Sequence, residues 1–211
     1  DMLRRAALKG EEVVNIPPDE NGHFLGFVFK VMVDPYVGKL SFVKVFSGHL
    51  TSDQPIYNVT QDQEERISSF RQMKGKESVE IQAIILGDIV AIPKLESAIA
   101  GDTLGTKGEV LQFRPIKFPK PVYSVAVLPK SRADEDKLGN AITKTLKEDR
   151  TLSFVKDPET NDAVLSGMGD MHLDIMLSKI KERYKVDLET RTPKVPYRET
   201  IKKKASAQGK H

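Results

Sequence analysis

The chain has no cysteine and only four histidines among its 211 residues. Without cysteine it can form neither a disulfide framework nor a thiolate metal site, and its scattered histidines lack the spacing of metal ligands. We therefore expect no metal in this chain. The absence of disulfides makes the cytoplasm the simplest expected location.

Long apolar runs are missing as well. No stretch approaches the roughly 20 apolar residues that a membrane-spanning helix needs. The N-terminal residues Asp1-Met2-Leu3-Arg4-Arg5 lead into charge and not into the apolar core of a signal peptide. We expect a monomer with no membrane partner.

Motifs for catalysis and nucleotide binding are incomplete. In the stretch from Gly101 to Lys107 the two glycines stand one residue too close for a phosphate loop, and Lys-Ser/Thr does not follow. Gly167-Met168-Gly169-Asp170-Met171-His172 begins like a dinucleotide fingerprint, but His172 replaces the third glycine. No spacing nominates an activated serine or threonine. We therefore expect no catalytic residue.

The charge of the chain is unevenly distributed. The net charge is +3, and residues 194–211 hold six lysine or arginine residues against one glutamate, which leaves residues 1–193 at −2. Such a basic tail, with Lys202, Lys203 and Lys204 at its centre, is usually a solvated end. The alternative is a contact with RNA phosphates.

The first half of the chain has the texture of an antiparallel β-barrel. Residues 1–12 resemble the fringe of a helix, with Leu3, Ala6, Ala7 and Leu8 apolar, and 1–23 are predicted to be a linker or the end of a preceding domain. From residue 24, short β-branched and aromatic runs alternate with turn residues, which predicts a barrel over residues 24–106. The predicted strands are 24–33, 40–46, 55–59, 65–70 and 79–93.

After a proline-rich and glycine-rich linker at 107–120, the spacing of apolar residues alternates between that of a strand and that of a helix. Ser131 followed by Asp134 predicts a helix start, and a second helix is predicted from about Asp170. The element order βαββαβ over 121–193 predicts an α+β ferredoxin-like sandwich. The predicted buried faces are Leu138, Ile142 and Leu146 on the first helix, and Leu173, Leu177, Ile180 and Tyr184 on the second.

Several stretches resemble elongation factor G, the ribosomal translocation GTPase. The most diagnostic in the barrel runs from Phe29 to Leu40, and those in the second domain run from Ser166 to Ile175 and from Pro193 to Ile201. By this resemblance the barrel would be domain II of the factor and the ferredoxin-like unit domain III. Residues 194–211 would be the truncated start of domain IV.

The resemblance also implies a function and partners. This chain would dock on the ribosome, at small-subunit rRNA and a small-subunit protein, and relay nucleotide state between the GTPase domain and the C-terminal domains of its parent. GTP and Mg²⁺ would belong to the parent's GTPase domain, so the fragment itself would need no cofactor. Interface candidates are Gly167, Met168, Gly169, Asp170 and His172, barrel docking candidates are Lys30, Gly48 and His49, and Lys202, Lys203 and Lys204 form the basic tail.

Departures from the common pattern leave alternatives open. Asp170 and Asp174 stand where glutamates are common, which favours a divergent elongation-factor-G-like branch over the housekeeping factor. A ribosomal protection protein of the tetracycline-resistance type is the close alternative. A free-standing RNA-binding module and an enzyme with a substrate cavity in the barrel are further alternatives.

Overall fold

A computed structural model describes residues 6–9, 12–34, 37–75, 77–109, 111–204 and 206–209. These residues form antiparallel sheets and two helices. Neither helix in this part of the chain is long and apolar enough to cross a membrane. The first-half strands are β1 (Ala6–Lys9), β2 (Glu12–Asn15), β3 (Leu25–Asp34), β4 (Gly38–Ser47), β5 (His49–Thr51), β6 (Pro55–Asn58), β7 (Gln63–Arg66), β8 (Phe70–Lys74), β9 (Glu77–Ile81), β10 (Ala83–Ile85), β11 (Ile89–Pro93), β12 (Thr103–Gly105) and β13 (Leu111–Phe113).

The N-terminal segment is β-structure, so the prediction of a helix there is wrong for the described residues; Leu3 lies outside them. Strand β1 pairs with β2 and with β13. The apolar run ends too soon to make a helical stripe, and Val13 and Val14 are β-branched. The Phe113 ring packs on two others: its centroid lies 5.4 Å from that of Phe27 and 4.7 Å from that of Phe46. Part of the predicted linker at 107–120 therefore has a regular structure.

The first domain is an eight-stranded antiparallel sheet in the order β7-β6-β12-β3-β4-β11-β8-β9. A short sheet of β10 and β5 accompanies it. The strands pack around a main apolar core, and their antiparallel pairing, together with the likeness to known structures, confirms the predicted antiparallel β fold. The fully buried side chains of this core include Val28, Val43, Val45, Phe70, Ile84, Ile92 and Leu95.

Two of the predicted strands of this domain are divided in the structure, whereas β3 has the predicted length and β4 is longer than predicted. The predicted strand 65–70 is divided between β7 and β8, and the predicted strand 79–93 is divided into β9, β10 and β11. Gly87, with φ +97°, makes the turn before β11. A positive φ is accessible to glycine at little cost, so the chain reverses there.

A buried carboxylate fixes the loop that precedes β12. Asp102 is 2% exposed, and its Oδ2 accepts hydrogen bonds from the Asn58 side chain and the Ile99 backbone N–H, each at 2.9 Å. Its Oδ1 accepts from Gln61 Nε2 at 3.1 Å. Three donors offset the cost of burying this charge. The glycine-containing stretch from Gly101 is thus tied into the first domain by its own aspartate.

The second domain has the predicted α+β ferredoxin-like order. Its elements are β14 (Tyr123–Pro129), α1 (Arg132–Glu148), β15 (Ser153–Lys156), β16 (Ala163–Gly167), α2 (Asp170–Tyr184) and β17 (Leu188–Arg191). The antiparallel sheet has the order β15-β16-β14-β17. Both helices contribute to a core with the sheet, which confirms the predicted βαββαβ unit.

The helix predictions hold closely in this domain. Ser131 caps α1 by accepting the Asp134 N–H at 3.2 Å, and α2 begins at Asp170. Leu146 and Tyr184, both predicted to be buried, are half-buried at the margin of the core. The buried helical residues are Leu138, Ala141, Ile142 and Thr145 on α1, and Leu173, Met176, Leu177 and Ile180 on α2.

Gly48 provides a test of local packing at the end of β4. It has φ +69°, and a Cβ atom there would lie 2.5 Å from the Gly22 carbonyl oxygen and 2.7 Å from Phe24 N. Gly48→Ala should lower the free energy of unfolding by the cost of a left-handed alanine, about 1–2 kcal/mol, plus about 1–3 kcal/mol of overpacking. Urea unfolding followed by circular dichroism measures the change.

Gly75 is the matched control, because its φ is +62° and a Cβ atom there would meet nothing within 4 Å. Gly75→Ala should incur only the conformational cost. Equal losses of stability in the two variants would contradict the packing argument.

Candidate functional site

All five interface residues predicted in the second domain lie in or beside the turn between β16 and α2. Gly167 is buried at the end of β16, and a Cβ atom there would lie 2.7 Å from Leu173 Cδ2 and 3.0 Å from His172 Nδ1. Only glycine lets the strand approach the first turn of α2 this closely. Gly169 precedes α2 in an extended conformation, with no side-chain cap.

The Asp170 and Met168 side chains face outward from this turn. Asp170 is exposed and accepts the Met171 N–H at 2.7 Å. Its charge lies in the first turn of α2, where the helix dipole favours an anion. Met168 is 37% exposed, while its backbone N–H points inward to His172.

His172 joins this turn to the end of α1. Its Nδ1 accepts the Met168 N–H at 3.1 Å, so Nδ1 carries no proton in this arrangement. Its Nε2 lies 3.0 Å from Asp149 Oδ2 and donates the proton to that carboxylate. The ring is largely covered, with 22% of its side chain exposed. His172 is therefore oriented from both sides and holds the backbone of the turn.

Asp149 is the partner that sequence reasoning missed. Its backbone N–H ends α1 by bonding to the Thr145 carbonyl at 3.0 Å. Its Oδ1 accepts the Thr151 N–H at 2.8 Å and the Thr151 hydroxyl at 2.6 Å. Burial would raise the pKa of Asp149, but the hydrogen bonds from Thr151 and His172 outweigh it and hold the pKa below its ordinary value.

An exposed apolar surface surrounds the turn; we call it the turn surface. Val122 donates its N–H to the Gly167 carbonyl at 2.8 Å, and Tyr123 lies opposite Gly167 in the sheet. Met171 and Ile175 are four residues apart on α2, so they share one face of the helix, and Met168 lies in the turn just before it. The turn surface consists of Val122 (77% exposed), Tyr123 (44%), Met168 (37%), Met171 (69%) and Ile175 (49%).

The three docking candidates of the first domain are not brought together. Lys30 is exposed and its Nζ lies 6.0 Å from the centroid of the Phe42 ring. Gly48 and His49 follow the far end of β4, six residues beyond Phe42, or about 20 Å along a strand. His49 is exposed, with Nδ1 3.2 Å from the Glu20 carbonyl. Gly48 serves the packing of its turn.

The basic tail is exposed and has no regular secondary structure in its described part. Its first residues are attached to the second domain, because Asp162 accepts the Lys194 N–H at 3.0 Å and Arg198 pairs with Glu159. Lys202, Lys203 and Lys204 lie beyond these contacts, with exposed side chains. The tail charges are therefore accessible to a polyanion.

Among the residues that the structure describes, no group of three or more histidine, aspartate or glutamate side chains could hold a metal ion. The contacts around His172 orient a turn and expose an apolar surface around it.

Comparisons with known proteins match both domains. A family model described as "Elongation factor G domain 2" matches residues 23–107, and one described as "Elongation Factor G, domain III" matches residues 118–192. The chain is 44% identical over 200 residues to elongation factor G of Thermotoga maritima, covering 95% of this chain and 29% of that protein.

A solved structure gives the same relationship. The crystal structure of a Thermus thermophilus protein aligns with a TM-score of 0.75 and 33% identity, covering 87% of this chain and 28% of the other. This chain thus spans less than a third of the length of either protein.

The pKa of Asp149 generates a testable pH dependence. Since the folded state lowers this pKa, the Asp149 contribution to stability should be present above the unfolded value of about 4 and lost as the pH falls below it. Asp149→Asn should therefore destabilise the protein near pH 7, and its deficit in free energy of unfolding should shrink at lower pH. Urea unfolding between pH 3 and 7 measures the deficit.

Making Asp149→Asn in a His172→Gln background separates the contribution of the His172 hydrogen bond to stability from that of the Thr151 hydrogen bonds. The Thr151 bonds remain there, so the same substitution should show a smaller deficit in the same pH window. A deficit that does not change between pH 3 and 7 would contradict the assigned role of the carboxylate.

Proposed function

Because this chain belongs to the elongation factor G family, we propose that it is the ribosome-docking and conformational-relay part of a translation factor that hydrolyses GTP on the ribosome. The observation that carries the proposal is that both family domains occur in one chain, in order, at residues 23–107 and 118–192. GTP and Mg²⁺ are bound by other segments of the full-length protein. The setting is the cytoplasm, where ribosomes work.

The turn surface is the contact with other domains of the same protein. It is apolar and exposed in this chain, and exposed apolar patches of this kind commonly mark interfaces. The rigid support below it favours a relay, because Gly167 packs on Leu173 while His172 holds the Met168 N–H. A partner domain that displaces the turn also displaces the start of α2.

The outer side of β3 and β4 is the contact with small-subunit rRNA. Phe29 is 39% exposed and its ring centroid lies 6.2 Å from that of Phe42. Lys30 adds a cation beside the Phe42 ring. Aromatic faces stack on bases and lysines neutralise phosphates, so the three residues together suit an unpaired RNA segment. A small-subunit protein and the tail lysines complete the contacts.

The full-length protein tests this function. Ribosomes should stimulate its hydrolysis of GTP, measured as phosphate released per minute with and without ribosomes. Met171→Glu should reduce the stimulation, because a charge at a 69% exposed position is tolerated in the free chain but opposes burial in an apolar interface.

Lys179→Glu is the matched control. Lys179 is exposed on the same helix, eight residues or about 12 Å further along, and its variant should keep the stimulated rate. A full-length protein whose hydrolysis does not respond to ribosomes would refute the function. Equal effects of the two variants would refute only the role of the turn surface.

A further inference from the structure

The last residues of β3 extend beyond their neighbour on one side. Pairing with β12 ends at Phe27, followed by the bond from the Val28 N–H to the Asp102 carbonyl at 2.9 Å. Val33 lies opposite Lys39 in the ladder with β4. The Lys39 carbonyl points away from β3, because it accepts the Lys94 N–H on that side. In an antiparallel ladder the two residues of such a pair both point their polar groups outward, so the N–H and C=O of Val33 point away from β4.

Two charged residues of the second domain bind these polar groups. Glu148 is the last residue of α1, and its Oε1 accepts the Val33 N–H at 2.6 Å. Arg183 lies near the end of α2, and its Nη1 donates to Glu148 Oε1 at 2.9 Å and to Oε2 at 3.0 Å. The same Nη1 is 3.4 Å from the Val33 carbonyl oxygen. One ion pair thus satisfies both backbone groups of a single residue.

The ion pair joins α1 to α2 within the second domain and is partly shielded from water. The Glu148 side chain is 17% exposed and the Arg183 side chain 32%. Burial by itself lowers the pKa of Arg183, yet the charge and hydrogen bonds of Glu148 more than offset this and the pKa lies above its ordinary value. The Arg183 guanidinium therefore stays charged at neutral pH.

Lys147 of the second domain also acts across this boundary, on the buried Lys39. Lys39 is 7% exposed and donates from Nζ to the Glu96 carbonyl at 2.7 Å. Burial lowers the pKa of Lys39, and the positive charge of Lys147, on α1, lowers it further. The nearby carboxylates of Glu96, Glu65 and Asp102, all in the first domain, act in the opposite direction and raise this pKa.

We propose that Glu148 and Arg183 form a latch that holds the second domain on the end of β3. The latch recognises backbone and not a side chain, so it depends on where the Val33 peptide groups point. Successive residues of a strand present these groups to opposite sides, and a one-residue displacement of β3 would open the latch. This inference concerns the joint between the two domains and does not depend on ribosome binding.

The residue after Glu148 connects the latch to the turn before α2. Asp149 follows Glu148 directly and bonds to His172 in the turn before α2. The end of α1 thus binds the first domain through one carboxylate and the turn through the adjacent one. When the latch is closed, the position of the turn surface relative to β3 is fixed through two consecutive residues.

The absence of cysteine makes the joint directly measurable. Lys74 and Lys179 are exposed in different domains, so a Lys74→Cys/Lys179→Cys chain carries two unique spin labels. Pulsed electron-spin resonance should give one narrow distance distribution for the otherwise unchanged chain. Glu148→Ala should lose the narrow peak, with an unchanged circular dichroism spectrum. Arg183→Gln removes the other partner of the ion pair and should also lose the narrow peak. It replaces Glu148→Ala as the test if that variant does not fold.

A charge swap separates the latch from an ordinary ion pair between the two helices. Glu148→Arg/Arg183→Glu keeps opposite charges on α1 and α2 but places a guanidinium against the Val33 N–H, so the narrow peak should not return. Glu189→Gln, which breaks an exposed pair with Lys130 within the second domain, should leave the peak unchanged. A narrow peak in either folded single variant, or its recovery in the swap, would overturn the latch.

Discussion

A strand that extends past its neighbour leaves peptide groups that must still find partners. Strand β3 has ten residues and β12 only three, so the far part of β3 requires partners other than β12. At Val33 those partners come from the second domain. Leaving a buried N–H unpaired costs about 1–3 kcal/mol, which makes the contact between the domains part of the hydrogen bonding of the first sheet.

The same requirement is met elsewhere by carboxylates at the ends of elements. Asp102 satisfies the Ile99 N–H in the loop before β12, and Asp149 satisfies the Thr151 N–H just after α1. Glu148 performs the same task across the domain boundary. On the proposed function, these fixed ends matter because a relay between domains needs joints with defined positions rather than flexible connections.

Local patterns were sufficient to predict most of the second domain from sequence. The Ser131 cap and the periodic leucines of both helices predict α1 and α2 to within a few residues, because each signal lies within a few turns of the chain. The β1 strand was misassigned because its few apolar residues were taken for a helical stripe, and because one of its two partners, β13, is about 100 residues away. In the first domain, sequence offered Gly48 only as a docking candidate, and the structure adds that its lack of a side chain lets Gly22 and Phe24 approach.

The pairings that define the joint and the turn could not be read from spacing. Asp149 and His172 are 23 residues apart, Glu148 and Arg183 are 35 apart, and Glu148 and Val33 are 115 apart. No local period connects such residues. The sequence contains one partial signal. Glu148 and Asp149 are consecutive acidic residues at the C-terminal end of α1, where the helix dipole disfavours negative charge.

Amide hydrogen exchange at Val33 in the intact chain tests the account most directly. Met32 pairs with Leu40 in the ladder, so its amide serves as an internal reference for a protected strand. If Glu148 accepts the Val33 N–H, the Val33 amide should exchange as slowly as that of Met32. Exchange of Val33 at the rate of an unprotected amide, while Met32 remains slow, would contradict the account.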